Sequence, residues 1–242
     1  DLQVTGFPLT HSASRQRAGM LSALVLGPQS ALQPAHARQT ALQVMAPQAV
    51  SATLLLMGSF MFVLGYMNRR ESHLAYFGAL CVGWALVNAR LWLRNLPLGH
   101  SEVEFLVCVM LGFTAWAAVQ FLLRYAAGRF AWVDRALPFQ GLVLPLSLVV
   151  AGSSHLHLMA SAWYLLLGTE VLAAALWHLR RLGRSRERWL MAPMLGAVAL
   201  AGVLELAVQA LGAPSWAAHA AELIVPIFFF GVGLRLVQQH GR

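Results

Sequence analysis

The sequence predicts an all-α integral membrane protein, a bundle of seven transmembrane helices. Of its 242 residues, 59% are hydrophobic and only 11% are charged, whereas soluble domains carry about 25% charged residues. Long apolar runs recur along the chain, and arginines fall between them in an alternating pattern. This composition excludes a soluble globular enzyme and a disordered chain.

Seven apolar runs are candidates for spans, because a hydrocarbon core about 30 Å thick needs roughly 20 mostly apolar residues per helix. They are Pro47–Tyr66, Leu74–Trp92, Val103–Leu123, Ala136–Ala151, Leu158–Leu179, Trp189–Leu211 and Ala217–Val237. The fourth run is short and contains Pro145. We therefore assign residues 46–238 to the transmembrane domain.

The two ends of the chain differ from the apolar middle. Residues 1–45 are expected to be an extracytoplasmic remnant that ends in a juxtamembrane helix at Ser30–Val44. Residues 239–242 are expected to begin a cytoplasmic exit. The chain does not start with Met, so we expect it to be part of a longer polypeptide.

Arginine placement predicts the orientation, because cytoplasmic loops retain positive charge. Twelve arginines follow the first, third, fifth and seventh spans, and only Arg94 lies in the alternate loops. The N-terminus is therefore predicted outside and the C-terminus inside. The net charge of +8 then indicates topology and contact with anionic lipid headgroups, and no nucleic acid is expected as a partner.

Several chemistries are excluded by what the sequence lacks. All 17 basic residues are arginine, so no lysine is present to form a Schiff base. Cys81 and Cys108 lie on separate spans, and two cysteines are too few for a disulfide framework. The chain has no P-loop, HExxH, GxSxG or CxxC motif. We predict no catalytic residue and no cofactor in this chain.

Acidic residues within spans are costly and are candidates for function. They are Glu170, Glu205 and Glu222. Glu170 shares a helix face with Trp163 and Trp177, seven residues away on either side. It is either a proton-sensing or ligand-contacting group, or a carboxyl group hydrogen-bonded to a neighbouring helix.

Arg90 is the basic candidate for a signal or ligand site. It is predicted at a depth similar to that of Glu205 and could pair with it. Alternatively, Arg90 could extend outward to meet Glu102 or Glu104.

The seventh span contains candidates for a hinge. Pro226 cannot donate a backbone hydrogen bond to the carbonyl of Glu222, so a bend is expected there. Gly231 and Gly233 follow in the same span. The alternative is that these are ordinary glycine and proline residues of a membrane helix.

Histidines are concentrated at the predicted outer side, where they could bind a metal or respond to pH. They are His100, His155, His157 and His219. His155 and His157 are predicted on the short loop 152–157. No spacing matches a compact metal motif, so no metal site is assigned. The positions considered as metal ligands are His155, His157 and His219.

Some stretches are similar to a known bacterial family. They are Val25–Gln39 running into Ala46–Gln48, the loop Asn68–Glu71 (NRRE) and Tyr76–Asn88. Over residues 22–242 the chain resembles the seven-transmembrane receptors with diverse intracellular signalling modules. The resemblance implies a sensor domain before the helices and an output domain after them, a histidine kinase or a diguanylate cyclase.

The sequence therefore predicts a receptor segment that relays an extracytoplasmic signal to a cytoplasmic output domain in cis, absent from this chain. Its mechanism would be a shift between two helix packings. The surrounding partner is the lipid bilayer, and a homodimer is compatible with the sequence. The alternative is a small multipass transporter or channel with a pathway lined by Glu170, Glu205 and Arg90.

Overall fold

The protein consists of helices and short connections in the part that the structure describes. A computed structural model describes residues 33, 34, 37, 41, 45–68, 71–89, 99–126, 128, 130–181, 226, 228–234 and 236, with no strand among them. The helices are α1 (Ala46–Met67), α2 (Ser72–Ala89), α3 (His100–Tyr125) and α4 (Ala131–Arg181). All four are long and apolar enough to cross a bilayer. This confirms the predicted multipass helical membrane protein.

Some predicted elements lie outside the described residues. The sixth span, Trp189–Leu211, does so completely, as does nearly all of residues 1–45. Of the seventh span, Pro226 and residues 228–234 and 236 are described, and they are helical. We call residues 228–234 the C-terminal segment.

The predicted fourth and fifth spans form one continuous stretch, α4, that is broken at Gly152. This residue has φ 64° and ψ 176°, a conformation that glycine adopts because it has no Cβ. Hydrogen bonds join Gln140 to Glu170 and Trp163 to Ser147 across the break. The two halves of α4, residues 131–151 and 153–181, therefore run antiparallel.

This break corrects one detail of the sequence interpretation. Residues 152–157 were expected to form a loop, but only Gly152 leaves the helical conformation and residues 153–157 are helical. One glycine suffices because its positive φ turns the chain in a single residue. His155 and His157 consequently lie on a helix.

Helices α1 and α2 pack with their backbones in close contact. The buried residues of α1 recur every three or four positions: Ser51, Leu54, Gly58, Met61 and Gly65. A Cβ on Gly58 would lie 2.8 Å from the Cβ of Cys81 and 2.9 Å from the carbonyl oxygen of Gly78. A Cβ on Gly65 would meet the backbone of Ala75, and one on Gly78 the backbone of Phe62. Small residues are therefore required at this crossing.

Consecutive helices pack against each other through the rest of the described bundle. Gly83 of α2 makes room for Thr114 of α3, whose hydroxyl group donates a hydrogen bond to the Met110 carbonyl at 2.7 Å. Gly112 of α3 faces Leu144 of α4. The outward faces expose large apolar side chains, as expected of helices surrounded by lipid.

The C-terminal segment packs on both α1 and α2. Phe229 lies 6.2 Å from Trp84 and 6.3 Å from Phe77, between ring centroids. Gly233 faces Met57 of α1 and Phe77 of α2. Because Trp84 contacts the start of the segment and Phe77 also contacts Gly233, the segment runs antiparallel to α2 and parallel to α1.

Replacing Gly78 with alanine should lower the free energy of unfolding by about 1–3 kcal/mol, because a Cβ cannot fit against the Phe62 backbone. Gly141→Ala is the matched control, since a Cβ there meets nothing within 4 Å. We expect this control to be neutral or stabilising by up to about 1 kcal/mol. Unfolding of the purified protein in mixed micelles measures both. Equal effects of the two substitutions would contradict the close approach.

Candidate functional site

A group of polar residues ties three helices together at the end of the bundle where α2 begins. Arg124 donates hydrogen bonds to the Gln120 side-chain oxygen at 3.0 Å and to the Ser72 hydroxyl group at 3.3 Å. Its guanidinium also lies 3.6 Å from Asp134, which accepts a hydrogen bond from Gln120 at 3.0 Å. We call these four residues the Arg124 network.

Local helix geometry explains where the charges of the Arg124 network lie. Arg124 is in the last turn of α3, and Asp134 is in the first turn of α4. A helix dipole favours a cation at the C-terminus and an anion at the N-terminus. The Arg124 guanidinium also lies 4.4 Å above the Tyr76 ring, which adds a cation–π contact. The Arg124 network therefore joins the ends of α2, α3 and α4.

A second polar site lies between the two halves of α4. The Gln140 amide donates hydrogen bonds to both carboxyl oxygens of Glu170, at 2.9 and 3.0 Å. One heptad away, the Trp163 indole N–H donates to the Ser147 hydroxyl group at 2.8 Å. On the other side of Glu170, seven residues further along the helix, Trp177 packs against Phe130 at 5.3 Å between ring centroids.

This arrangement matches one of the two interpretations of Glu170, a carboxyl group hydrogen-bonded to a neighbouring helix. The predicted line of Trp163, Glu170 and Trp177 does follow one side of the helix. At Trp163 and Glu170 that side faces the other half of α4, and at Trp177 it faces Phe130, the residue just before α4. Glu170 as a signal residue stays a prediction.

A third polar site joins α3 to α4 at the end of the bundle near Gly152. His157 Nδ1 lies 2.8 Å from Glu104 Oε1. The side chain of Glu104 is 10% exposed and that of His157 is 41% exposed. Nearby, Glu102 accepts a hydrogen bond from the Gly99 backbone N–H at 2.9 Å, and His155 bonds to Ser154 at 2.9 Å. Of the histidines predicted at the outer side, His157 is thus placed against an acid, Glu104.

No group of three or more His, Cys, Asp or Glu side chains among the described residues could hold a metal ion. Within that part of the chain, His155 and His157 have different partners and do not converge. His219 lies outside the described residues.

Other predicted site residues lie outside the part of the chain that the structure describes. They are Arg90, Glu205 and Glu222. The hinge candidates are described: Pro226 is helical and buried, Gly231 is half-buried, and Gly233 is buried against Met57. The place of Gly233 is explained by close packing, and a hinge at these residues stays a prediction.

The sequence interpretation missed the Arg124 network and the partner of Glu170. Gln120 and Gln140 are the signals that could have found them, because an amide within an apolar span requires a hydrogen-bond partner. Asp134 is one of only two aspartates in the chain. Its pairing with Arg124 depends on the turn between α3 and α4, which residue spacing does not reveal.

Comparisons with protein-family models, with characterised proteins and with solved structures found no match for this chain.

Replacing Arg124 with leucine should lower the free energy of unfolding by about 1–3 kcal/mol, because it removes the hydrogen bonds to Gln120 and Ser72 and the positive charge beside Asp134. Arg135→Leu is the matched control, since Arg135 directly follows Asp134 in α4 and is exposed, and its effect should stay within about 0.5 kcal/mol. Unfolding in mixed micelles distinguishes the two. A control as damaging as Arg124→Leu would contradict the network.

Replacing Glu170 with leucine should destabilise the protein by about 0.6–1.7 kcal/mol, which are the average and the largest value measured for interhelical hydrogen bonds in membranes. Glu170→Gln should cost less, because the amide oxygen still accepts a hydrogen bond from Gln140. The same measurement in a Gln140→Leu background should show no further loss for Glu170→Leu. An undiminished loss in that background would mean that Glu170 acts through another partner.

Proposed function

We propose that this chain is a transmembrane receptor segment of a bacterial inner membrane, which relays an extracytoplasmic signal to a cytoplasmic output domain, a histidine kinase or a diguanylate cyclase. The supporting observation is the contact of α1 with the C-terminal segment, through Met57 and Gly233. In the predicted topology, α1 enters from the extracytoplasmic side and the C-terminal segment leads towards the cytoplasm. The first and last predicted spans are therefore in contact with each other.

The α1–α2 pair behaves as one unit in this proposal. Backbone contacts at Gly58, Gly65 and Gly78 leave no room for one helix to slide past the other without separating. A displacement of α1 consequently carries α2 with it. Both surfaces that contact the C-terminal segment then move together.

The C-terminal segment contacts the α1–α2 pair through side chains, whereas α1 and α2 contact each other through backbone atoms. The side chains that contact the segment are Met57, Phe77 and Trp84. Methionine side chains are flexible and adapt to more than one packing. The Arg124 network meanwhile holds the ends of α2, α3 and α4 together. The last helix can thus change position against a fixed frame, as a population shift between two packings requires.

The transporter alternative receives less support from the described residues. Of its three predicted pathway residues, Glu170 has both carboxyl oxygens bonded to Gln140 between the halves of α4. Arg90 and Glu205 lie outside the described part. A hydrogen-bonded seam between packed helices favours a structural role for Glu170 over a place in a solute pathway.

To test this proposal, the natural reading frame is expressed, and the membranes are assayed for autophosphorylation with ATP and for cyclic di-GMP synthesis from GTP. Gly233→Leu should change the output about fivefold or more, because the larger side chain displaces Met57 and shifts the packing of the C-terminal segment against α1 and Phe77. Leu234→Ala is the matched control, since Leu234 is 61% exposed on the same segment. We expect it to leave output unchanged at equal membrane levels.

Two results would overturn the proposal. One is a natural reading frame in which no output domain follows Arg242. The other is unchanged output from Gly233→Leu in a protein that still inserts fully. Uptake by proteoliposomes that is abolished by Glu170→Leu would instead favour the transporter.

Replacing Pro226 with alanine should alter signal output while leaving insertion intact, because alanine restores the backbone N–H that proline lacks and straightens the helix. Output is measured as above, and insertion by the protease sensitivity of the two chain ends. Wild-type output at full expression would remove the hinge.

A further inference from the structure

We propose that the His157–Glu104 pair is a proton-operated contact between α3 and α4, through which the chain responds to extracytoplasmic pH. This inference rests on the receptor function proposed above, and it assigns protons as the signal. The pair lies at the end of the bundle near Gly152, which the arginine pattern predicts to face the extracytoplasmic side. Protons from that compartment therefore reach His157, whose side chain is 41% exposed.

The pair differs from an ordinary surface ion pair in the burial of its acid. The Glu104 side chain is only 10% exposed, and a carboxylate removed from water needs a hydrogen-bonded partner. Its partner is His157, at 2.8 Å. The strength of the contact consequently depends on the charge of one imidazole ring.

Two other titratable groups at this end of the described bundle, Glu102 and His155, have separate partners. On α3, Glu102 accepts the hydrogen bond of the Gly99 backbone N–H. On α4, His155 bonds to Ser154 and is exposed. Among the described residues, Glu104 is the acid that faces His157, so protonation of His157 acts on one carboxylate.

The direction of the effect follows from the charges. Histidine gains its proton as pH falls through the range of about 8 to 5. Protonation of the ring places a positive charge against the ionised Glu104 carboxylate, so that their hydrogen bond becomes an ion pair. Acidic medium therefore closes the contact and alkaline medium loosens it. The halves of α4 meet at Gly152, five residues before His157, so loosening frees the end of the α4 hairpin from α3.

The contact is tested on the full chain in lipid vesicles, with spin labels at Ser101→Cys on α3 and Ser153→Cys on α4. Both positions are exposed, whereas Cys81 and Cys108 are buried and label poorly. Electron–electron distance measurements then give the closed and open populations. Between about pH 5.5 and pH 8, we expect their ratio to change about fivefold, with the closed state favoured in acid.

Four variants identify the responsible group. His157→Gln and Glu104→Gln should remove the pH response, because neither leaves a titrating ion pair. His157→Arg should hold the contact closed at every pH, so its expected gain of closure does not depend on a damaged fold. His155→Gln is the matched control and should respond like the wild-type protein. A wild-type protein with no pH response, or a response that survives in His157→Gln, overturns the inference.

The labels report only on α3 and α4, so this outcome is separate from that of the relay. A pH response at the labels without any change of output would leave the proton-operated contact intact and remove the relay. If Gly233→Leu changes the output while the distance between the labels does not depend on pH, the relay is retained and this pair is excluded as its sensor.

Discussion

The close approach of the α1 and α2 backbones is the contact on which the described bundle depends. Lipid is as apolar as the helix surfaces, so no hydrophobic force pushes membrane helices together, and van der Waals packing has to do so. Gly58, Gly65 and Gly78 allow that packing because a Cβ at any of them would meet its neighbour's atoms. The paired helices then form the surface, with Met57 and Phe77, on which the C-terminal segment lies.

The few polar side chains of the described helices complete this arrangement by bonding across helix boundaries. Arg124 joins three helices at one end, Gln140 and Glu170 join the halves of α4, and His157 and Glu104 join α3 to α4 at the other end. Each bond removes the cost of a polar group in a low-dielectric surrounding. The chemical difference among them matters for function, because arginine keeps its charge in the physiological range whereas histidine does not.

This distribution gives the proposed receptor a fixed part and an adjustable part. The Arg124 network and the glycine contacts fix the positions of α1 to α3 relative to one another. The contact of Gly233 with Met57 is formed by a flexible side chain, and the contact of Glu104 with His157 changes strength with protonation. One adjustable contact joins α1 to the C-terminal segment, and the other joins α3 to α4.

The sequence by itself determined the helical membrane class and the positions of the first three helices to within a few residues, because span length and hydropathy are local properties set by bilayer thickness. It also located the break near Gly152, although not that a single residue makes it. Only the tertiary structure decided which polar groups meet: Gln140 with Glu170, Arg124 with Asp134, His157 with Glu104. These pairings depend on the relative rotation and depth of separate helices, which no local pattern along the chain encodes.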